Sequence, residues 1–210
     1  MSNSILINSH SFNNSELQRA VKEIRNGGIV MFPTDTLYGL AVDPRNWNAI
    51  ERLFTVKGRD ASNAVPMICA DLVQVEREVG LMPDLAKDLS RLFWPGPLTM
   101  VLDGNGSMAK NAIGLDGSIG VRVPSHPVAR AFANEVGHPI TATSANYSGE
   151  KPPQAVTEAS KSILQSVDLI LDAGEVSGGL PSTIVDVRTN PVQLIRDGAI
   201  PWDDVLNSIT

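Results

Sequence analysis

Apolar and polar positions switch between two periods along this chain, and the switches outline its elements. Leu17, Ala20, Val21 and Ile24 recur at the i, i+3, i+4, i+7 spacing of a helix with one buried stripe. Ser15 with Gln18 is placed as a capping box at its start, and Gly27 as its stop. Residues 29–32 form a short unbroken apolar run, the pattern of a buried strand. Asn46 is placed to cap a second helix with the stripe Ile50, Leu53 and Phe54. Residues 65–70 predict a buried strand, and 84–93 a helix halted at Trp94-Pro95-Gly96-Pro97. Strands are expected at 98–102, 119–123 and 139–143, with helices at 126–136 and 155–165. Three short strands, 169–171, 183–187 and 192–195, close the pattern. Strands and helices alternate at first, whereas the end is strand-rich. That order predicts an α/β protein with a mixed sheet and helices packed on it, not a pure βαβ array. Residues 104–117 and 174–181 read as mobile surface loops. No repeat or linker marks a boundary, so residues 1–210 are expected to form a single domain.

Bulk composition narrows the function classes. Hydrophobic residues make up 42% of 210, enough for a sizeable core. The net charge of -6 argues against a broad surface that coats a nucleic-acid duplex, while leaving room for a small basic cleft. Cys69 is the single cysteine and lies between apolar neighbours, which suits a buried hydrophobe in a reducing compartment. No apolar run reaches the ~18 residues of a membrane span. Met1-Ser2-Asn3-Ser4-Ile5 lacks the basic start and apolar core of a signal peptide, so a cytoplasmic protein is expected.

Several strings carry candidate chemistry. Phe32-Pro33-Thr34-Asp35-Thr36-Leu37-Tyr38-Gly39-Leu40 follows a strand and brings hydroxyls, a carboxylate and a glycine to a sheet end, where open α/β sheets bind ligands. The same residue types also make ordinary turns. Lys57 continues the stripe of Ile50, Leu53 and Phe54, and Gly58 and Arg59 follow at once. Two cations at a helix end form an anion clamp, or else stabilise the helix C-terminus. Thr143-Ser144-Ala145-Asn146-Tyr147-Ser148-Gly149 follows a strand and offers either a ligand grip or a capped polar turn. Arg122 stands inside an apolar strand and Arg196 at the end of another; each requires a partner, either a structural carboxylate or a ligand. Other patterns fail. Gly104-Asn105-Gly106-Ser107-Met108-Ala109 matches a loose dinucleotide fingerprint, but no amphipathic helix follows it. His10, His126, His138 and Cys69 are scattered without metal-ligand spacing, and His126 reads as a capping or packing residue. Neither a nucleophile elbow nor a carboxylate pair is present. Anion grips and hydroxyls without a covalent nucleophile fit chemistry by positioning and electrostatics, as in transfers at phosphorus.

Taken in order, these strings resemble the YrdC-like family of threonylcarbamoyl-AMP synthases. The resemblance runs from about residue 15 to 198. It includes Pro33-Thr34-Asp35-Thr36-Leu37-Tyr38-Gly39, Lys57-Gly58-Arg59, Phe93-Trp94-Pro95-Gly96-Pro97-Leu98-Thr99, Val121-Arg122-Val123-Pro124, Ser144-Ala145-Asn146, Ser182-Thr183-Ile184-Val185-Asp186 and Ile195-Arg196-Asp197-Gly198. It implies a twisted mixed sheet with a large open cavity. It also implies a reaction in which L-threonine, bicarbonate and ATP, with Mg²⁺ carried by the nucleotide, give threonylcarbamoyl-AMP and pyrophosphate. A TsaD-type transferase would then modify tRNA, which this chain itself would bind weakly if at all, and no membrane is involved. Position by position, Lys57, Arg59, Ser144 and Asn146 match the family's catalytic set. Thr36, Arg122, Ser144 and Ser182 match threonine contacts. Lys57, Arg59, Asn63, Ser118, Asn146 and Arg196 match ATP contacts, and no resident metal site is implied. On this reading Arg122 pairs the substrate carboxylate, Lys57 and Arg59 neutralise the triphosphate, and Gly178-Gly179-Leu180-Pro181 serves as a lid. The chain departs from the family pattern at Ile68, where many members carry histidine, and at Glu150-Lys151-Pro152-Pro153-Gln154. Competing expectations are an RNA-binding accessory module and a paralogue acting on a related carbamoyl or acyl adenylate.

Overall fold

Strand pairing divides the sheet residues between two mixed sheets in the computed structural model, which describes residues 4–58, 64–104 and 106–209. The first holds β1 (Ser4–Leu6), β9 (Leu169–Asp172), β2 (Val30–Phe32), β3 (Gly39–Ala41) and β8 (Thr143–Ser144), side by side in that order. β1, β9 and β2 run parallel, while β3 returns antiparallel to β2 and pairs β8 through Gly39 and Ser144. The second holds β11 (Gln193–Arg196), β10 (Thr183–Asp186), β5 (Leu98–Asp103), β6 (Ser118–Arg122), β4 (Met67–Ile68) and β7 (Ile140–Thr141). Seven α-helices accompany them among the described residues: α1 (Asn14–Arg25), α2 (Trp47–Lys57), α3 (Leu72–Glu78), α4 (Asp84–Phe93), α5 (Pro127–Val136), α6 (Lys161–Ser166) and α7 (Trp202–Asn207). None of these is long and apolar enough to cross a membrane.

Two-residue alternation assigns each strand face to a layer. In β2, Val30 and Phe32 pack with Leu17, Val21 and Ile24 of α1 and with Val128 and Phe132 of α5. Phe32 and Phe132 meet edge to face, ring centroids 5.8 Å apart. Ile29 and Met31 turn to the opposite core with Ile50 and Leu53 of α2. Burial on both faces is why this strand reads as an unbroken apolar run. In the second sheet, Leu98, Met100 and Leu102 of β5 and Ile119 and Val121 of β6 enter the core. Their alternate neighbours Thr99, Val101, Ser118, Gly120 and Arg122 line a cavity.

Three expectations are corrected. The capping box of α1 is Asn13 with Glu16, not Ser15 with Gln18: Asn13 Oδ1 accepts the Glu16 amide at 3.2 Å, and Glu16 Oε2 accepts the Asn13 amide at 2.8 Å. The helix expected over 155–165 is broken. A 3₁₀ turn at Val156–Glu158 gives way to extended Ala159, and the Ser160 hydroxyl caps the separate helix α6. The 104–117 segment is not simply a surface loop, because Met108 and Ala112 are buried and the Ala109 amide donates to the Pro44 carbonyl at 2.9 Å.

Candidate active site

The polar face of the second sheet, the 33–39 turn and the 143–149 loop enclose a cavity of about 580 Å³, the size of a small-molecule site. Lys57, Arg122 and Arg196 reach its wall, and among the described residues no Asp or Glu does. A chain of net charge -6 thus lines this cavity with cations, Arg122 being balanced by Asp35 behind the wall.

Thr34 builds the first wall. Its hydroxyl donates to the Leu37 carbonyl at 2.6 Å, and the Thr36 and Leu37 amides, both at 3.2 Å, share one of its two lone pairs. With its single proton committed to Leu37, Thr34 accepts from the Thr36 hydroxyl at 3.0 Å. Thr36 in turn accepts from Arg122 Nη1 at 3.3 Å. The relay runs Arg122 to Thr36 to Thr34 to Leu37, and it leaves Thr36 one lone pair with which to accept from a ligand. Burial pushes the Arg122 guanidinium pKa down, and Asp35, 3.6 Å from Nη2, opposes that shift. The strand arginine therefore has a structural partner and still lines the cavity.

Lys57 organises the opposite wall. It is 4% exposed, and its ammonium donates to the Ser144 and Asn146 carbonyls, the latter at 2.9 Å. The Ser148 amide donates back to the Lys57 carbonyl at 2.8 Å, so the end of α2 and the 143–149 loop hold one another. Gly58 is required between them, because its φ is +56° and a Cβ there would lie 2.0 Å from the Tyr147 ring. Asn146 donates through Nδ2 to the Tyr147 and Glu150 carbonyls at 2.9 and 2.8 Å. Its buried Oδ1 has no hydrogen-bond partner among the described residues.

A third group hangs on Ser182. Arg196 donates to the Ser182 carbonyl through Nε at 3.1 Å and Nη2 at 2.7 Å, and to its hydroxyl at 3.0 Å. That hydroxyl also bonds Thr99 Oγ1 at 2.8 Å. The 174–181 segment presses on the first wall: the Gly179 amide donates to the Thr36 carbonyl at 3.0 Å, and a Cβ on Gly178 would lie 2.0 Å from that oxygen.

Thr36, Lys57, Ser118, Arg122, Ser144, Asn146, Ser182 and Arg196 all border this one cavity. Arg59 and Asn63 lie outside the described residues. Ile68 also lines the wall. Sequence reading placed Thr34 and Asp35 only among the polar groups of their turn and gave Thr99 no separate role. Hydroxyl–x–x turn spacing marks Thr34, and strand alternation with Val101 marks Thr99. His126 occupies the N-cap of α5 without capping it, and instead meets Ser9 Oγ at 3.4 Å. Cys69 is buried, which pushes its thiol pKa up.

Comparison with known proteins places this geometry in context. The family model Sua5/YciO/YrdC, described as telomere recombination, matches residues 22–198. The threonylcarbamoyl-AMP synthase of Pyrococcus abyssi is 35% identical over 182 residues, covering 87% of this chain and 54% of that protein, so the chain spans about half of that relative's length. The threonylcarbamoyl-AMP synthase of Vibrio vulnificus is 36% identical over 186 residues, 88% of this chain and 99% of that one. The crystal structure of P. abyssi Sua5 complexed with L-threonine superposes with a TM-score of 0.92 at 32% identity, covering 98% of this chain and 60% of that chain.

Proposed function

Because the chain belongs to the Sua5/YciO/YrdC family, we propose that it is a threonylcarbamoyl-AMP synthase, an enzyme that moves AMP from ATP to a carbamate of L-threonine. The observation that carries this reading is the cavity wall, with Lys57, Arg122 and Arg196 and no carboxylate among its described residues, set around hydroxyl groups. Once the bound threonine ammonium has given up a proton to solvent, the free amine attacks bicarbonate and forms the N–C bond of a carbamate with loss of water. A carbamate oxygen then attacks the α-phosphorus of ATP, the bond to the β-phosphate breaks, and pyrophosphate leaves with the electron pair. No protein nucleophile is needed, so the protein's part is to bind, orient and stabilise charge.

Arg122 offers its guanidinium to the threonine carboxylate. Thr36 accepts from the threonine hydroxyl or amine, and Ser144 and Ser182 flank the same substrate. Arg196, Ser118 and Asn146 take the nucleotide, with the Asn146 Oδ1 acceptor suited to an exocyclic amine or a ribose hydroxyl. Lys57 contributes positive potential as negative charge moves to pyrophosphate, and Arg59 and Asn63 complete the set. Among the described residues no group of three or more His, Cys, Asp or Glu is placed to hold a metal ion. Mg²⁺ carried on the nucleotide's own phosphate oxygens would offset their charge. A TsaD-type transferase acting on tRNA consumes the product. The test is pyrophosphate release from ATP and bicarbonate with and without L-threonine, in wild type and Arg122→Ala. Threonine-dependent release that the variant loses supports the reading; release indifferent to threonine refutes it.

A further inference from the structure

Asp35 is the buried charge that the proposed chemistry does not use. Its side chain is 10% exposed, and neither carboxylate oxygen has a hydrogen-bond partner among the described residues. An ionised carboxylate in that state is costly, and an apolar residue there would avoid the cost. Its ion-pair partner is Arg122 Nη2 at 3.6 Å, beyond hydrogen-bond reach, and His126, also in its field, is held below the ordinary histidine pKa by burial and so adds no charge at neutral pH. Arg122 is itself buried and keeps a hydrogen bond to Thr36. The two therefore act on one another chiefly as charges, and together they make this end of the cavity electrically neutral. A lone buried arginine would attract any carboxylate. A neutral pair treats carboxylates differently: a zwitterion adds no net charge, whereas a simple anion leaves a buried excess of one negative charge.

We propose that Asp35 is a specificity-determining residue, which balances Arg122 so that the cavity accepts a zwitterionic amino acid and rejects the same carboxylic acid without its ammonium. This rests on the L-threonine reading above. Calorimetric titration compares L-threonine with (R)-3-hydroxybutyrate, its analogue lacking the amine. Wild type should favour threonine by about tenfold or more. Asp35→Asn should narrow that ratio by about fivefold or more, while Asp35→Glu should retain it. Arg122→Gln, which leaves Asp35 as an unbalanced negative charge, should bind L-threoninamide in preference to L-threonine. An unchanged ratio in Asp35→Asn, with both ligands weakened in proportion, overturns the proposal. So does a wild type that binds 3-hydroxybutyrate as well as threonine, or an Arg122→Gln variant without preference for the amide. A wild type that binds neither ligand overturns the threonine reading itself, and the proposal with it.

Discussion

Lys57→Met removes the ammonium while keeping most of the stem, and it separates two roles that the sequence left open. If the ammonium serves only the triphosphate, the variant in the absence of nucleotide should be as stable as wild type. The structure argues otherwise, since the ammonium donates to the carbonyls of Ser144 and Asn146 from a site 4% exposed. Its loss strands the buried Asn146 carbonyl, at about 1–3 kcal/mol, and takes from the Ser144 carbonyl one of two donors, the other being the Asn146 amide at 2.9 Å. Part is recovered because methionine spares the dehydration of a buried charge. The net loss is about 1.5–3 kcal/mol, a large share of the ~5–15 kcal/mol that holds a domain together. For a chain of this size that lowers Tm by roughly 3–12 °C. Circular dichroism melts without ligand measure it directly, and ATP titration follows on the same samples. Because Ser144 and Asn146 both border the cavity, loosening their loop should weaken ATP binding as well. A variant that melts within about 2 °C of wild type yet loses ATP affinity would refute loop-holding and return the ammonium to the ligand.

Three further outcomes are expected. Gly178→Ala puts a Cβ against the Thr36 carbonyl oxygen, 2.0 Å away; displacing that turn should raise the KM for L-threonine by about tenfold, and an unchanged KM would count against the contact. Asp168 accepts from the Ile29 amide at 2.7 Å and Arg52 Nη1 at 2.6 Å. Burial pushes its carboxyl pKa up, but Arg52 and the Ile29 amide outweigh that and set it below the ordinary value. Asp168→Asn should therefore cost about 1 kcal/mol at neutral pH after discount for its partial exposure. That difference should vanish as pH falls through the depressed value, so urea midpoints of the two proteins that differ equally at pH 7 and pH 2 would refute it. Burial lowers the pKa of His138, with Asp43 opposing. Below about pH 6.5 the unfolded chain takes up the proton first, so stability should fall from pH 7.5 to 5.5, and His138→Gln should flatten that slope.

Long amphipathic stripes were legible, and so were short strands such as Leu169–Asp172 and Thr183–Asp186, but β1 and β3 were not. The pattern of Asp84–Phe93 was sufficient because its moment is carried by ten residues within one element. β1 and β3, three residues each, exist only because β9 and β2 lie beside them; no local period can signal a partner elsewhere in the chain. α3 and α7 are too short to show a stripe. At the start of α1 the chain offers two overlapping capping patterns, Asn13 with Glu16 and Ser15 with Gln18. The reciprocal hydrogen bonds belong to the first. The division into two sheets was equally hidden, since strand order depends on crossovers that composition does not encode.

The cavity was legible for a different reason. Each string, taken alone, admitted an ordinary local role: a threonine turn, a helix-end lysine, a polar loop, a strand arginine with a partner. The structure shows that these local roles are how the wall is made. Thr34 makes a side-chain turn, and that turn orients Thr36 and commits its proton. Lys57 ends its helix and, by the same ammonium, holds Ser144 and Asn146 in the opposite wall. Arg122 finds a structural carboxylate in Asp35 and still lines the cavity. Weighing a structural against a functional reading segment by segment undercounts such sites, because a preorganised site is one in which supporting hydrogen bonds and ligand-facing groups share the same side chains. What no segment could show was the Asp35–Arg122 pairing, since it joins a turn in one sheet to a strand in the other. Its charge balance exists only once both sheets are folded, which makes it the part of the site least accessible to reading by motif.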